Sequence, residues 1–199
     1  MSVLTSLTDP AHLYSREMVL SRPCPVPKMR GIYAWFFRET PGITPTEGCV
    51  TKNGMKLLYV GISPTNDRST QTLRTRIAYH YRGNAEGSTL RLTLGVLLED
   101  RFKLPLRRVG SGGRMTFTHL GEQCLDDWMS LNAFVCWIEH SRPWEVEAQI
   151  FQSLSLPLNI QDNSHHPFSD KLKRLRSIAK QAALREPIAN EDDQRRTLL

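Results

Sequence analysis

The stretches Gly31-Ile32-Tyr33-Ala34-Trp35-Phe36-Phe37 and Leu57-Leu58-Tyr59-Val60-Gly61 decide how this chain folds. Each is a short apolar run, rich in aromatic and β-branched residues and bounded by glycine or polar residues, which predicts a strand rather than a helix. Unbroken apolarity predicts that both faces of the sheet are covered. Each run nevertheless contains a tyrosine, whose hydroxyl needs a polar partner when it is buried. We therefore expect Tyr33 and Tyr59 to converge on a polar site.

Further segments complete the predicted framework. Residues 133–138 form a third apolar run of strand length. Residues 49–58 predict a hairpin, because Asn53-Gly54 supplies the positive φ angles of a type I′ turn, so the sheet is at least partly antiparallel. Two helices are predicted beyond it, one opening with Ser88 as its N-cap and one over residues 122–131.

A helix directly after the second strand carries polar groups on its inner face. It is predicted to begin at a cap on Thr70 or Thr72. Arg76 and His80 lie on the same face as its apolar stripe, which is formed by Leu73, Ile77 and Tyr81. A guanidinium and an imidazole on a face that turns toward the core need a polar site or a hydrogen-bonding or charged partner. The alternative is that Arg76 extends its head to solvent and His80 is a hydrogen-bonded core histidine.

A later helix carries a carboxylate on its apolar stripe. Pro143 suits the first turn of this helix, which is predicted to end near Leu154. Glu147 lies on the same stripe as Ile150 and Phe151. Because an unpaired buried carboxylate is costly, Glu147 is predicted to be either salt-bridged or a ligand.

The charge of the chain favours a polyanionic partner. Its 199 residues include 26 Lys and Arg against 20 Asp and Glu, a net charge of +6, which suits nucleic acid but also describes many proteins without such a partner. A last helix is predicted to pack its apolar side chains Leu172, Leu175, Ile178, Ala179 and Ala182. Its outer face is basic and comprises Lys171, Lys173, Arg174, Arg176 and Lys180. That face suits contact with a phosphate backbone, although a solvated face is the commoner meaning of such a pattern.

Length predicts one domain with a sizeable core. Residues 1–30, with four prolines, are predicted to be an irregular lead-in packed on a domain of residues 31–186, and the polar residues 187–199 a disordered tail. No apolar run approaches the ~20 residues that span a bilayer, and the start of the chain lacks the features of a secretory signal. We therefore predict a cytoplasmic protein without membrane contact. The four cysteines form no Cys-x-x-Cys pair, which argues against a zinc ribbon.

These polar positions resemble, in order and spacing, the GIY-YIG nuclease superfamily. The tripeptides Gly31-Ile32-Tyr33 and Tyr59-Val60-Gly61 match the two motifs that name it. Arg76, with His80 four residues later, matches the arginine and the histidine or tyrosine of the family. Glu147 on a later helix matches its glutamate. The ordered set, rather than any one motif, carries the resemblance.

The resemblance extends over about residues 31–163. Asn159, twelve residues beyond Glu147, matches an asparagine of the family. The span between the two tyrosine motifs is longer here than in the family. Ile62 follows the second motif, where some members carry a lysine.

The resemblance implies an α+β fold with a small, central, mostly antiparallel three-stranded sheet flanked by helices. It also implies hydrolysis of DNA phosphodiester bonds with one divalent cation, Mg²⁺ or Mn²⁺, which Glu147 would hold. Magnesium commonly takes only one or two carboxylates and keeps several waters, so a single glutamate suffices. Arg76 would bind phosphate oxygens with its planar guanidinium. Asn159 would hold the end of the helix and Glu147 in place.

The two tyrosines would act on the attacking water. Tyr33, with Tyr59 beside it, would orient or deprotonate that water. An unperturbed tyrosine has a pKa of ~10, so only about a thousandth is ionised at neutral pH. His80 is the natural helper, and a phenolic base predicts activity that rises with pH from about 6 to 9.

DNA is the predicted partner. Arg74 and Arg82 on the first helix, and Lys171 and Arg174 on the last, are the predicted backbone contacts. No second recognition domain is visible, so a protein partner is a candidate source of specificity. The competing interpretations are a non-catalytic nucleic-acid-binding module of the same fold and a structural adaptor with Arg76, His80 and Glu147 as an internal ion network. The sequence leaves the oligomeric state open.

Overall fold

The computed structural model describes residues 2–161 and 163–197. Its central antiparallel sheet has the strand order β2-β3-β1-β6. These strands are β1 (Gly31–Phe37), β2 (Thr51–Lys52), β3 (Met55–Ser63) and β6 (Ala133–Glu139). A small second sheet pairs β4 (Arg107–Val109) with β5 (Arg114–Thr116).

Helices cover both faces of the central sheet. The described helices are α1 (Val3–Thr8), α2 (Arg16–Leu20), α3 (Leu73–Arg82), α4 (Thr89–Leu97), α5 (Glu99–Phe102), α6 (Thr118–Asn132), α7 (Glu147–Ser153) and α8 (Ser169–Arg185), with a 3₁₀ turn at Pro143–Glu145. One face packs against α3, α4, α6 and α8, and the other against α1 and α7. The predicted α+β fold with its three longer antiparallel strands is confirmed.

The predicted hairpin is also present. Asn53 and Gly54 have φ angles of 50° and 75°, and they connect β2 to β3. Because β2 is only two residues long, most of the outer edge of β3 lies beyond it. Leu158 covers part of that edge, since its backbone N–H donates to the carbonyl of Leu58 over 3.1 Å.

A buried ion network joins α4 to α6. The guanidinium of Arg91, with no exposed surface, bonds the carboxylates of Glu122 and Asp126, each over 2.7 Å. Full burial of a charge requires such pairing. This network holds together the helices behind the sheet, and Arg91 also donates to the backbone carbonyl of His80 over 3.3 Å.

Both ends of the described chain contact the domain. Leu7 of α1 is buried against the second face of the sheet, and Tyr14 pairs with Val135 of β6. At the other end, Ala189 donates its N–H to the Arg108 carbonyl and Arg196 bonds the Asp126 carboxylate over 2.7 Å. Over residues 187–197 these contacts differ from the disorder that the polar composition predicts. The division into three segments stays a prediction.

Helix α8 is rotated relative to the sequence prediction. Its buried residues include Leu172, Ala179 and Ala183, whereas Ile178 is 59% exposed. The predicted packing of Ile178 and Ala182 is therefore wrong. The stripe that packs runs at spacings of three and four residues from Leu172, and it also includes Arg176. Among the described residues, none of the helices is long and apolar enough to cross a membrane.

Candidate active site

A cavity of about 680 Å³ opens between the sheet and the helices. Its walls come from β1, β3, α3, α4, α7 and α8 and from the loop before α8. The predicted site residues Tyr33, Tyr59, Arg76, Glu147 and Asn159 all line it. His80 lies directly behind Tyr33 and is completely buried. Residues that are far apart in sequence thus meet at one place.

The register of the strands sets the positions of the two tyrosines. Tyr33 of β1 lies opposite Gly61 of β3, and Trp35 lies opposite Tyr59. Residues opposite one another, or two apart along a strand, share a face of the sheet. Tyr33 and Tyr59 therefore lie side by side on the face that α3 covers. Tyr33 is 1% exposed and Tyr59 is 9% exposed.

A hydrogen-bonded chain leads from Tyr33 into the protein. The hydroxyl of Tyr33 lies 2.9 Å from Nε2 of His80, and Nδ1 of His80 lies 2.7 Å from Oγ of Ser88. Ser88 is also the N-cap of α4, where it accepts the N–H of Arg91. The sequence identifies Ser88 only as a cap. No local pattern shows that it also orients a histidine eight residues earlier.

Burial keeps the Tyr33–His80 pair neutral. It raises the pKa of Tyr33 far above its usual range; Tyr59 and Glu147 raise it further, while Arg76 lowers it. Burial also holds the pKa of His80 well below its usual range, with Arg76 and Arg91 acting in the same direction. At neutral pH the pair is therefore a phenol and an uncharged imidazole, and Tyr33 is not a preformed phenolate.

Arg76 places a positive charge in the cavity wall next to this pair. It is half-buried in the cavity wall, and its guanidinium donates one hydrogen bond to the carbonyl of Gly87 over 3.0 Å. Burial lowers the pKa of Arg76, but the neighbouring phenols, above all Tyr33, more than offset this effect. Arg76 stays charged and keeps further N–H donors for a ligand.

The other predicted arginines of α3 lie elsewhere. Arg74 donates from Nε to the carbonyl of Val26 over 2.6 Å and thereby ties α3 to the lead-in. That bond occupies the side chain that was predicted to contact nucleic acid. Arg82 is exposed at the C-terminal end of α3, outside the residues that line the cavity.

Glu147 is the first residue of α7 and is half-buried. Ile150 and Phe151 anchor α7 under the sheet, as the stripe predicts. Among the described residues that line the cavity, Glu147 is the single carboxylate. The described residues contain no group of three His, Cys, Asp or Glu side chains placed to hold a metal ion. A lone carboxylate nevertheless fits Mg²⁺ or Mn²⁺, which complete their shell with water and substrate oxygens, better than Zn²⁺.

Asn159 is hydrogen-bonded to the strand of the second tyrosine motif. Its Oδ1 accepts the N–H of Val60 over 3.0 Å, and its Nδ2 donates to the carbonyl of Val60 over 2.7 Å. The side chain thus replaces a neighbouring strand at the edge that β2 leaves open. The support of Glu147 by Asn159 stays a prediction.

The basic side chains of α8 fall into two groups. Lys171 and Arg174 are exposed outside the cavity, as an outer basic face requires. Arg176, predicted to share that face, is half-buried and lines the cavity instead. The rotation of α8 produces this difference.

The cavity of this α+β domain thus brings together two tyrosines, two arginines and, among the described residues, one carboxylate. A family model of the GIY-YIG catalytic domain matches residues 31–178, and the chain belongs to this family. No curated protein and no solved structure matches it. Membership of the family supports a nuclease-type function.

Proposed function

We propose that the protein is an endonuclease that hydrolyses DNA phosphodiester bonds with the help of one divalent cation, Mg²⁺ or Mn²⁺. The observation that carries the proposal is the convergence of Tyr33, Arg76 and Glu147 on one cavity, with His80 bonded behind Tyr33. These groups supply the three requirements of phosphodiester hydrolysis: removal of a proton from water, a positive group for the phosphate and a ligand for a cation.

Tyr33 and His80 move the proton. The hydroxyl of Tyr33 accepts a proton from the attacking water as its own proton passes to Nε2 of His80. This transfer requires the tautomer in which Nδ1–H of His80 donates to Oγ of Ser88, which lies within hydrogen-bond distance at 2.7 Å. Since the pKa of His80 is lowered by burial, its imidazole is unprotonated and ready to accept at neutral pH.

Arg76 and Glu147 act on the phosphate. Arg76 binds the non-bridging oxygens with the N–H groups that its bond to Gly87 leaves available. Glu147 would hold the cation, which when bound would supply charge neutralisation at the phosphate and lower the pKa of a coordinated water. Tyr59, next to Tyr33 in the same wall, orients the water. Asn159 keeps the strand of Tyr59 in place through Val60.

The exposed cations Arg82, Lys171 and Arg174 are proposed contacts to the DNA backbone outside the cavity. Arg74 is left out of this set because its side chain is bonded to the lead-in. A protein partner that supplies specificity and a cytoplasmic location stay predictions of the sequence.

Incubation with supercoiled plasmid tests the proposal. We expect nicking with Mg²⁺ or Mn²⁺, none with EDTA, and none for Tyr33→Phe, which keeps the ring and removes the hydroxyl. Nicking that EDTA leaves undiminished would exclude the cation from the reaction. A wild-type protein that binds plasmid and never nicks it with any divalent cation would instead make it a non-catalytic nucleic-acid-binding module.

A further inference from the structure

We propose that Arg176 binds a second phosphate of the substrate, next to the phosphate held by Arg76, so that the cavity takes two consecutive phosphates of one strand. This inference rests on the proposed function, because it assumes a nucleic-acid substrate. It assigns a substrate contact to helix α8, the last described helix, in which the family match ends at residue 178.

The position of Arg176 is fixed by the packing of α8. Leu172, one turn before it, has no exposed surface, and Ala179, three residues after it, is 7% exposed. Arg176 lies on the stripe between them, so its side chain projects from a helix that is anchored on both sides. It lines the same cavity as Arg76 and Glu147. A cation on an anchored helix is pre-organised for a ligand.

The electrostatic surroundings of Arg176 call for an anion. The side chain is half-buried, and burial lowers its pKa while Tyr59 raises it. Glu147 is the single carboxylate among the described residues that line the cavity with it. Partial desolvation of a charge is costly, and a bound phosphate offsets that cost.

The charge and the volume of the cavity are sufficient for two phosphate groups. Its described lining contains two guanidinium groups, Arg76 and Arg176, and one carboxylate, Glu147. Glu147 is the proposed ligand of the cation, so each of the two guanidinium groups is available to neutralise one phosphodiester. At about 680 Å³ the cavity is also as large as pockets that hold whole small molecules, so its volume admits more than one phosphate group.

The two arginines enter the cavity from different helices. Arg76 of α3 donates to the carbonyl of Gly87, the residue before Ser88, and so lies beside the Tyr33–His80–Ser88 chain that would activate the water. Arg176 enters from α8, outside that hydrogen-bonded chain. We therefore assign Arg76 to the phosphate under attack and Arg176 to a neighbouring one.

Binding measured in EDTA tests the inference without catalysis. The probe is a short labelled DNA duplex, and the affinity is followed by fluorescence anisotropy over a range of salt concentrations. Arg176→Gln is compared with Arg185→Gln, which removes the same charge from an exposed position in the last turn of α8. We expect Arg176→Gln to reduce the salt slope by about 0.9, the value for one phosphate contact, and Arg185→Gln to leave it unchanged.

Competition with short oligonucleotides tests the second phosphate directly. The trinucleotide dTpdTpdT contains two phosphates and the dinucleotide dTpdT only one. We expect the wild type to bind dTpdTpdT at least about tenfold more tightly, and Arg176→Gln to lose most of that preference. Equal slopes for the two variants, or an unchanged preference in Arg176→Gln, would overturn the inference. If the slope and the preference respond as expected but plasmid is never nicked, the proposed catalysis fails and the phosphate contact stands.

Discussion

The phenol of Tyr33 lies across Gly61 of the neighbouring strand, in the space that a side chain would fill. A Cβ atom at Gly61 would come within 2.5 Å of Cζ of Tyr33 and would also collide with its hydroxyl oxygen. The glycine of one motif therefore makes room for the tyrosine of the other. Gly31 is constrained in the same way, because a Cβ there would meet the Ile138 carbonyl of β6. The signature residues are thus coupled by packing as well as by chemistry.

Gly61→Ala should reduce cleavage by about a hundredfold, because a displacement of about 1 Å at a catalytic group has an effect of that size. Tyr33 has to move, and its 2.9 Å contact with His80 moves with it. Overpacking should also lower stability by about 1–3 kcal/mol. Gly113→Ala is the control, since a Cβ there meets nothing within 4 Å. Initial rates of plasmid nicking and thermal unfolding check both effects, and full activity in Gly61→Ala would contradict this coupling.

Ser88→Ala should lower the cleavage rate at least about tenfold, as part of the 10²–10⁴ that a positioned proton acceptor contributes. The change also removes the cap of α4, which costs about 1 kcal/mol. Ser15→Ala controls for that loss, because Ser15 caps α2 away from the cavity. The ¹⁵N shifts of His80 should show a changed tautomer balance in Ser88→Ala alone. If Ser88→Ala and Ser15→Ala cleaved at equal rates, Ser88 would serve only as the N-cap of α4.

The cleavage rate, where this proton transfer limits it, should change little from about pH 7 to 9, because the proposed relay starts from a neutral Tyr33 and a neutral His80. Burial raises the pKa of Tyr33 above this range and holds the pKa of His80 below it, so neither group titrates within it. A Tyr33 that had to ionise first would instead give a rate that rises by about tenfold per pH unit, as the simple phenolic base predicted from the sequence does. Nicking rates at constant cation concentration distinguish the two. A continuous tenfold rise per pH unit would exclude the relay through His80.

Stability should fall as the pH drops below about 6.5, the ordinary pKa of histidine. In the folded protein the pKa of His80 is lowered, so below that pH the unfolded chain binds a proton that the folded chain does not. His80 alone should therefore cost up to about 1.4 kcal/mol of unfolding free energy per pH unit in this window. Urea unfolding of wild type and His80→Asn between about pH 7 and 5 isolates the effect, since the remaining histidines cancel. Parallel pH profiles would show that His80 has an ordinary pKa.

The sequence predicts the location of those site residues whose position follows from the repeat of a strand or a helix. Tyr33 and Tyr59 follow from strand patterns, and Arg76 and His80 from a helical face, so the structure places them together as expected. The glutamate on the stripe of α7 follows in the same way. These positions need only the local period and the pairing of neighbouring strands.

Contacts between distant segments could not be predicted. The pairing of Asn159 with Val60 depends on which strand edge is open, and the burial of Arg91 depends on carboxylates 31 and 35 residues away. The sequence pattern predicts the wrong phase for α8, because the large side chain of Ile178 is expected in the core but is exposed. The small side chain of Ala183 is buried instead, and this rotation carries Arg176 into the cavity. Packing against neighbouring elements outweighs side-chain size here.

Two glutamates, Glu147 and Glu122, should separate chemistry from stability. Glu147→Gln keeps the size of the side chain and removes the charge proposed to hold the cation. Cleavage should fall by at least about a hundredfold, with DNA affinity unchanged or slightly stronger because a negative charge near the phosphates is lost. Since Glu147 is half-exposed at the cavity wall, water screens the change and the melting temperature should stay within about 2 °C.

Glu122→Gln should do the reverse. Oε1 of Glu122 accepts the N–H of Ala85 over 2.8 Å, so the new amide nitrogen would face the guanidinium of Arg91 where Oε2 now accepts. Breaking a buried ion pair costs about 3–5 kcal/mol, which lowers the melting temperature by about 10 °C in a chain of this size. Below that temperature the cation site is intact, so the folded fraction should still cleave. Calorimetry and nicking assays of both variants measure the contrast. A Glu147→Gln protein that melts as early as Glu122→Gln would make Glu147 a structural partner, and one that nicks at the wild-type rate would exclude it as the ligand of the cation.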